Sequence, residues 1–192
     1  KEASKLNVPR IGVRFRLPAS MNQVEYFGRG PAENYLDRNA GSMVGLYKST
    51  AEELYFPYVR PQENGHHTDT RWVSLSTGKK GLLIQADNTI GFNALRNSIE
   101  DFDDEEATGL SRQWSNFTPE QVANHDEAAA KNVLRRQHHI NDITPRDFVE
   151  VCVDLKQQGV AGYDSWGSRP EPAYTLPANR EYNWGFTLIP LK

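Results

Sequence analysis

The chain has 192 residues, 38% hydrophobic and 24% charged, with 10% aromatics and a net charge of −3 at pH 7. That is enough for one self-sufficient core but too little for a (β/α)8 barrel, which takes about 250 residues. The mild acidity argues against nucleic acid as a partner, and no apolar run approaches the roughly 20 residues that cross a bilayer, so no membrane partner is expected.

Lys1 to Leu6 is a polar lead-in, and the absence of an initiator Met reads as processing or excision from something longer. Ile11, Val13, Phe15 and Leu17 then alternate with Gly12, Arg14 and Arg16, the period-2 signature of a half-buried strand that Pro18 ends. Val24 to Phe27 reads as a second strand, stopped by Gly28-Arg29-Gly30-Pro31. From Ala32 to Leu54 the pattern is polar with apolar islands, which predicts loop and short helical turns. Tyr55 to Val59 is broken by Pro57 and suits a loop or sheet edge.

Trp72 to Leu75 and Gly81 to Ala86 predict a hairpin about the turn Thr77-Gly78-Lys79-Lys80, and Ile90 to Leu95 a further strand. Thr118, Pro119 and Gln121 supply an N-cap, a first-turn proline and a capping box, so one short helix is expected near 119–136. Val149, Val151, Val153 and Leu155 alternate as another strand, as do Tyr182, Trp184, Phe186 and Leu188. Six or more strands punctuated by Gly and Pro predict an all-β antiparallel sandwich.

Glu100 to Glu106 holds six carboxylates in seven residues. It lacks the central glycine and spaced acids of a calcium loop, and reads as a solvated stretch within a loop over 100–117. His66-His67 and His138-His139 are adjacent pairs, and neighbours in sequence do not share a face, so neither makes a metal site alone. Cys152, the single cysteine, excludes an intramolecular disulfide and sits in a strand as a buried thiol. No metal ligand set and no cofactor motif emerges, and none is expected in this segment.

What remains is aromatic and polar clustering in loops, near glycine: Gln62-Glu63-Asn64-Gly65, Thr70-Arg71-Trp72 and Gly162-Tyr163-Asp164-Ser165-Trp166-Gly167. A flat indole covers the apolar C–H face of a pyranose while polar neighbours bind its hydroxyls. The residues themselves leave two readings of Trp166 open: a sugar contact, or a plug for the core.

Pro9-Arg10-Ile11-Gly12, then Gly28-Arg29-Gly30-Pro31-Ala32-Glu33-Asn34-Tyr35-Leu36-Asp37-Arg38, Pro61-Gln62-Glu63-Asn64-Gly65, Thr70-Arg71-Trp72 and Asp164-Ser165-Trp166 follow in that order. The series, from about Val8 to Phe186, resembles the C-terminal, small-chain domain of the bacterial β-galactosidases of glycoside hydrolase family two. The resemblance implies a galactose-mutarotase-like β-supersandwich forming one domain over 1–192, with 100–117 as an acidic insertion. It also implies a larger multidomain enzyme whose catalytic carboxylates lie in an upstream barrel, a partner of this segment, along with any magnesium or sodium the enzyme uses.

On this resemblance the segment alone is inactive. Trp166 would contact a terminal β-D-galactoside, Asp164 and Ser165 would fix its loop, and Glu63, Asn64 and Arg71 are weaker substrate-binding candidates. A homo-oligomeric parent is implied; cytoplasm and periplasm both stay open. Three departures stand out: Tyr163 replaces a second aspartate, the acidic stretch reads as an insertion, and the first motif comes so early that strands on the N-terminal side of the supersandwich are expected to be missing. The last departure predicts exposed sheet edges or self-association covering them. Two other functions remain in view: an autonomous mutarotase-like enzyme, with Glu63 and His66, His67 or His138 as acid and base, and a carbohydrate-binding or structural domain.

Overall fold

The structure is a computed structural model and describes residues 6–102, 140–164 and 167–192. The chain divides into two compact units, one of Lys1–Phe56, Asn64–Arg96 and Arg146–Lys192, the other of Pro57–Glu63 and Asn97–Pro145. The first holds a sheet of seven strands: β1 (Arg10–Pro18), β2 (Gln23–Gly30), β3 (Met43–Thr50), β4 (His67–Ser76), β5 (Gly81–Leu95), β6 (Phe148–Gln157) and β7 (Phe186–Leu191). Their order is β1-β6-β5-β4-β2-β3, with β7 added to β5, and every pairing is antiparallel.

β5 organises the sheet. Its first half lies between β4 and β7, with Ile84 opposite both Val73 and Leu188. Its second half lies between β4 and β6, with Phe92 opposite both His67 and Val153. The two runs read from sequence as separate strands are therefore one long strand that changes neighbour. The expected hairpin turn precedes it, closed by the Thr77 N–H on the Lys80 carbonyl, with Gly78 at a φ of 83° that only glycine adopts without strain.

The core follows from the alternation. Val24 and Tyr26 on β2, Val73 and Leu75 on β4, Ile84, Phe92 and Ala94 on β5, and Val149, Val151 and Val153 on β6 are all buried. Tyr26 packs edge-on to Phe92 with centroids 5.1 Å apart. At β1 and β3 the side chains open toward solvent, and among the described residues each of these strands pairs along one edge only. Val44, Leu46 and Phe27 remain exposed at that end.

Four expectations change. β2 continues through Gly28-Arg29-Gly30, read as its stop, and Thr70-Arg71-Trp72, read as loop, lies within β4, because backbone pairing carries both strands past the clean alternation. The other two concern β3 and β7. β3 lies within the stretch expected to be loop; Met43, Val44, Leu46 and Tyr47 give it a strand's apolar content, but Gly45 and the polar tail Lys48-Ser49-Thr50 obscure the alternation. β7 begins only at Phe186, so Tyr182 to Gly185 are not strand. Both faces of β6 are enclosed: Glu150, Cys152 and Asp154 are as buried as the valines between them. Cys152 is the buried free thiol expected. The helix expected near 119–136 lies outside the described residues.

In the second unit the described residues include two 3-10 turns, Ile99–Asp101 and Ile140–Asp142. Asp101, expected to be solvated with its acidic neighbours, is instead buried and accepts the Ser98 N–H at 2.9 Å. A carboxylate at a turn's start satisfies an amide that would otherwise be orphaned. The rest of the acidic run, from Asp103 on, lies outside the described residues.

Candidate functional site

The loop leaving β6 carries the Asp164-Ser165-Trp166 motif, and its path is fixed by the ends of other elements. Gln158 donates its N–H to the Pro9 carbonyl at 2.8 Å, and Gly159 donates to Tyr174 at 2.8 Å. The next two amides go to a side chain: Val160 donates to Asp37 Oδ1 at 3.1 Å and Ala161 to Asp37 Oδ2 at 2.8 Å. Ala161 has φ 57° and Gly162 φ 88°, so the chain turns sharply where the carboxylate holds it. Beyond, the Tyr163 N–H reaches Ser168 Oγ at 3.1 Å, and the Ser168 N–H reaches Asp164 Oδ1 at 3.3 Å. Tyr163 is exposed; its phenol pKa is raised by desolvation first, then by the charges of Asp37 and Glu171. Asp164 is exposed too, while Ser165 and Trp166 lie outside the described residues.

The motif containing Asp37 is built as a clasp. Asn34 donates to the Arg29 and Ala32 carbonyls at 3.1 Å each and accepts from the Thr68 N–H at 2.9 Å and hydroxyl at 2.6 Å. Glu33 accepts the Gly65 N–H at 2.7 Å and pairs with Arg38 at 2.9 Å. Tyr35 and Arg38 exchange backbone hydrogen bonds, which presents Asp37 at the tip of a tight turn. Arg29 pairs with Asp69 at 2.5 Å.

The first motif does similar work. Arg10 makes a two-nitrogen contact with Asp154, at 2.5 and 3.2 Å, and donates to Asn93 Oδ1 at 2.9 Å. Gly12 is required opposite, since a Cβ there would lie 2.0 Å from Asp154 Oδ1. Glu150 on the same face of β6 is paired with Arg14 at 3.4 Å and Arg16 at 3.1 Å. Buried carboxylates need such partners, and here they flank the start of the motif-bearing loop.

His66 and His67 are 1% and 0% exposed. The Asn93 amide nitrogen donates to the Asn64 carbonyl, which orients its oxygen to accept from His66 Nδ1 at 2.8 Å. Burial, opposed only in part by that hydrogen bond, pushes the His66 pKa down to about 3. His66 is thus neutral, and its 3.9 Å approach to Asp154 is not an ion pair; Arg10 supplies that charge. His67 donates from Nδ1 to the Arg29 carbonyl at 3.1 Å and stacks on Phe92, and burial lowers its pKa to about 4. Among the described residues its Nε2 meets no hydrogen-bond partner. Neither ring is open to a substrate, so neither suits general acid or base work at a sugar; His138 lies outside the described residues.

The weaker candidates separate. The Asn64 side chain is buried and engaged on the Phe56 backbone, its oxygen accepting at 2.9 Å and its nitrogen donating at 2.5 Å. Arg71 on β4 donates to the Asp69 carbonyl and lies over the Phe27 ring at 5.7 Å, on a different element from the Asp164 loop. Glu63 is partly exposed, in the other compact unit. Among the described residues no group of three His, Cys, Asp or Glu side chains is placed to hold a metal ion. Asp37, the residue that ties the loop down, carries no signal in the sequence beyond its place in a motif.

The fold and its clasped loop define an all-β antiparallel domain, consistent with a β-sandwich. The chain belongs to the β-galactosidase small-chain family, whose pattern, described as beta galactosidase small chain, matches residues 1–188. It is 35% identical over 185 residues to a β-galactosidase of Priestia megaterium, covering 96% of this chain and 15% of that protein. It is 42% identical over 99 residues to one from an Arthrobacter species (48% of this chain, 10% of that protein). Against one from Vibrio cholerae identity is 29% over 181 residues, covering 94% of this chain and 14% of that protein. The chain thus spans about a seventh or less of the length of these curated relatives.

Proposed function

We propose that this chain is a non-catalytic, C-terminal part of a glycoside hydrolase family two enzyme that hydrolyses terminal β-D-galactosides. The observation that carries the reading is the match to β-galactosidases along nearly the whole chain. On this reading Trp166 stacks on the galactosyl ring, and Asp164 and Ser165 shape its loop. The two carboxylates of a retaining double displacement, about 5 Å apart, belong to the upstream barrel, with any magnesium or sodium sites. A homo-oligomeric parent is part of the same proposal.

The burial of His66 and His67 speaks against the autonomous mutarotase-like alternative, because their proton-accepting nitrogens are walled in by the core. Binding of the isolated chain to galactose is expected to be weak, since most of the pocket lies elsewhere.

The test is Trp166→Ala in the β-galactosidase polypeptide that carries this segment. Loss of an aromatic stacking partner, worth about 1–3 kcal/mol, is expected to raise KM about tenfold or more with kcat less affected. An unchanged KM would overturn the role of Trp166.

A further inference from the structure

Where β3, β2 and β4 lie side by side, the face of the sheet turned away from the core carries an apolar row. Residues directly opposite on paired strands share a face, and Leu46 of β3 stands opposite Phe27 of β2, which stands opposite Trp72 of β4. Val44 lies two residues from Leu46, on the same side. Leu46, Val44 and Phe27 are 59%, 41% and 38% exposed, and Trp72 is half-buried. The Lys48–Glu25 pair, at 3.5 Å, bounds the row at one end. At the other, Arg71 lies over the Phe27 ring and donates to the Asp69 carbonyl; among the described residues it meets no carboxylate. The Asp69 carboxylate is already taken by Arg29. The far end of the sheet differs. On β1, Arg14 and Arg16 pair with Glu150 and Pro18 closes the strand, so charge and proline guard that edge.

Size decides what covers the row. Its exposed apolar area is on the order of 300 Å2, within the range of patches that mark contact sites. Even with a polar rim it falls short of the roughly 800 Å2 per partner that holds two free molecules together, so it is too small to hold a second copy. A contact within one polypeptide is easier to keep, because the tether supplies the effective concentration and much of the association cost is already met. Such polypeptide is at hand in the relatives: this chain covers 15% of a β-galactosidase to which it is 35% identical. We infer that Val44, Leu46, Phe27 and Trp72 form a docking surface for the rest of the parent polypeptide, whose facing surface is apolar and brings a carboxylate to Arg71. The inference rests on the reading of this chain as one part of a longer β-galactosidase, and names the surface by which that part is held. A guanidinium lying over an aromatic ring keeps further N–H groups for a carboxylate, which supplies the register of the contact.

The experiment compares the β-galactosidase polypeptide that carries this segment with the 192-residue chain. Hydroxyl-radical labelling of Phe27 and Leu46 is expected to be about fivefold or more lower in the whole polypeptide, with Val13 on β1 labelled alike in both. Leu46→Asp is expected to lower the thermal midpoint of the whole polypeptide by a few degrees, since it strands a charge in a dry contact. The same change is expected to leave the urea midpoint of the 192-residue chain where it was, as for other exposed sites. Arg71→Glu is expected to lower the thermal midpoint further than Arg71→Gln, because it sets like charges together. Val44→Ser serves should the Leu46→Asp polypeptide fail to fold. Equal labelling of Phe27 and Leu46 in the two proteins would overturn the inference. So would a Leu46→Asp effect that is absent from both or equal in both, the first meaning an open face and the second a role within the segment. Labelling of the 192-residue chain that falls as its concentration rises would assign the surface to a second copy and also overturn the inference. If the whole polypeptide hydrolyses no β-galactoside, the functional reading fails, while the labelling still decides whether the face is covered.

Discussion

Acidification offers a direct test of the buried histidine pair. Folding moves the pKa of His66 from 6.5 to about 3 and that of His67 from 6.5 to about 4, burial being the main cause in both. Between those values the unfolded chain binds protons that the folded chain refuses. Stability therefore rises with pH through this window and falls as pH drops below 6.5 toward 4. At pH 5.5, one unit below the unfolded value, each histidine costs about 1.4 kcal/mol, so the pair costs about 3 kcal/mol.

Carboxylates with ordinary values near 4 remain largely ionised at that pH, so they add little to the slope. The assay is urea unfolding of the 192-residue chain between pH 7.5 and 5.5. With a slope of roughly 2–3 kcal/mol per molar, the midpoint should fall by about 1 M. His67→Phe keeps a planar ring between Tyr26 and Phe92 and is expected to remove about half of the pH dependence. A midpoint flat across the range would show that these rings are not held neutral. A slope untouched by His67→Phe would assign the effect to other groups.

Two further predictions concern Asp154. Arg10→Met leaves a buried carboxylate without its guanidinium and should destabilise the chain by about 3 kcal/mol, read as a lower urea midpoint. Gly12→Ala forces a methyl toward Asp154 Oδ1 and the Val153 carbonyl, 2.0 and 2.5 Å away, and should cost about 1–3 kcal/mol by the same measurement. Because both act on one carboxylate, their effects should fall short of additive in the double variant; full additivity would mean the two contacts are independent.

The strands were legible where period-2 alternation was clean. β1 follows from it, as do Val24–Phe27 of β2 and Trp72–Leu75 of β4, because one buried face and one open face write apolar and polar residues in turn; Gly28–Gly30 and His67–Arg71, which extend those strands, read as turn and loop. β3 was hidden because an edge strand buries little and is free to carry Lys48, Ser49 and Thr50. In β6 the alternation gave the strand but not its setting. Glu150 and Asp154 look like solvent-facing residues in sequence, yet β6 lies between β1 and β5, and Arg10, Arg14 and Arg16 of β1 supply their charge partners.

The site divides in the same way. Asp164, Ser165 and Trp166 were singled out because residue types that suit a sugar stand together beside glycines, a pattern local in the chain. Asn64 and His66 stand in equally suggestive company, yet backbone partners and burial engage them in the fold. Asp37 stood out only as a member of a motif, since its partners lie 123 and 124 residues away.

The sequence alone determined the all-β class and the motif order, because both are written in neighbouring residues. Only the tertiary structure decided which polar groups are buried, which charges are paired and what holds the motif-bearing loop. Hydrogen bonds and desolvation depend on distance in space, and alternation along a chain carries no record of which distant residue supplies the partner.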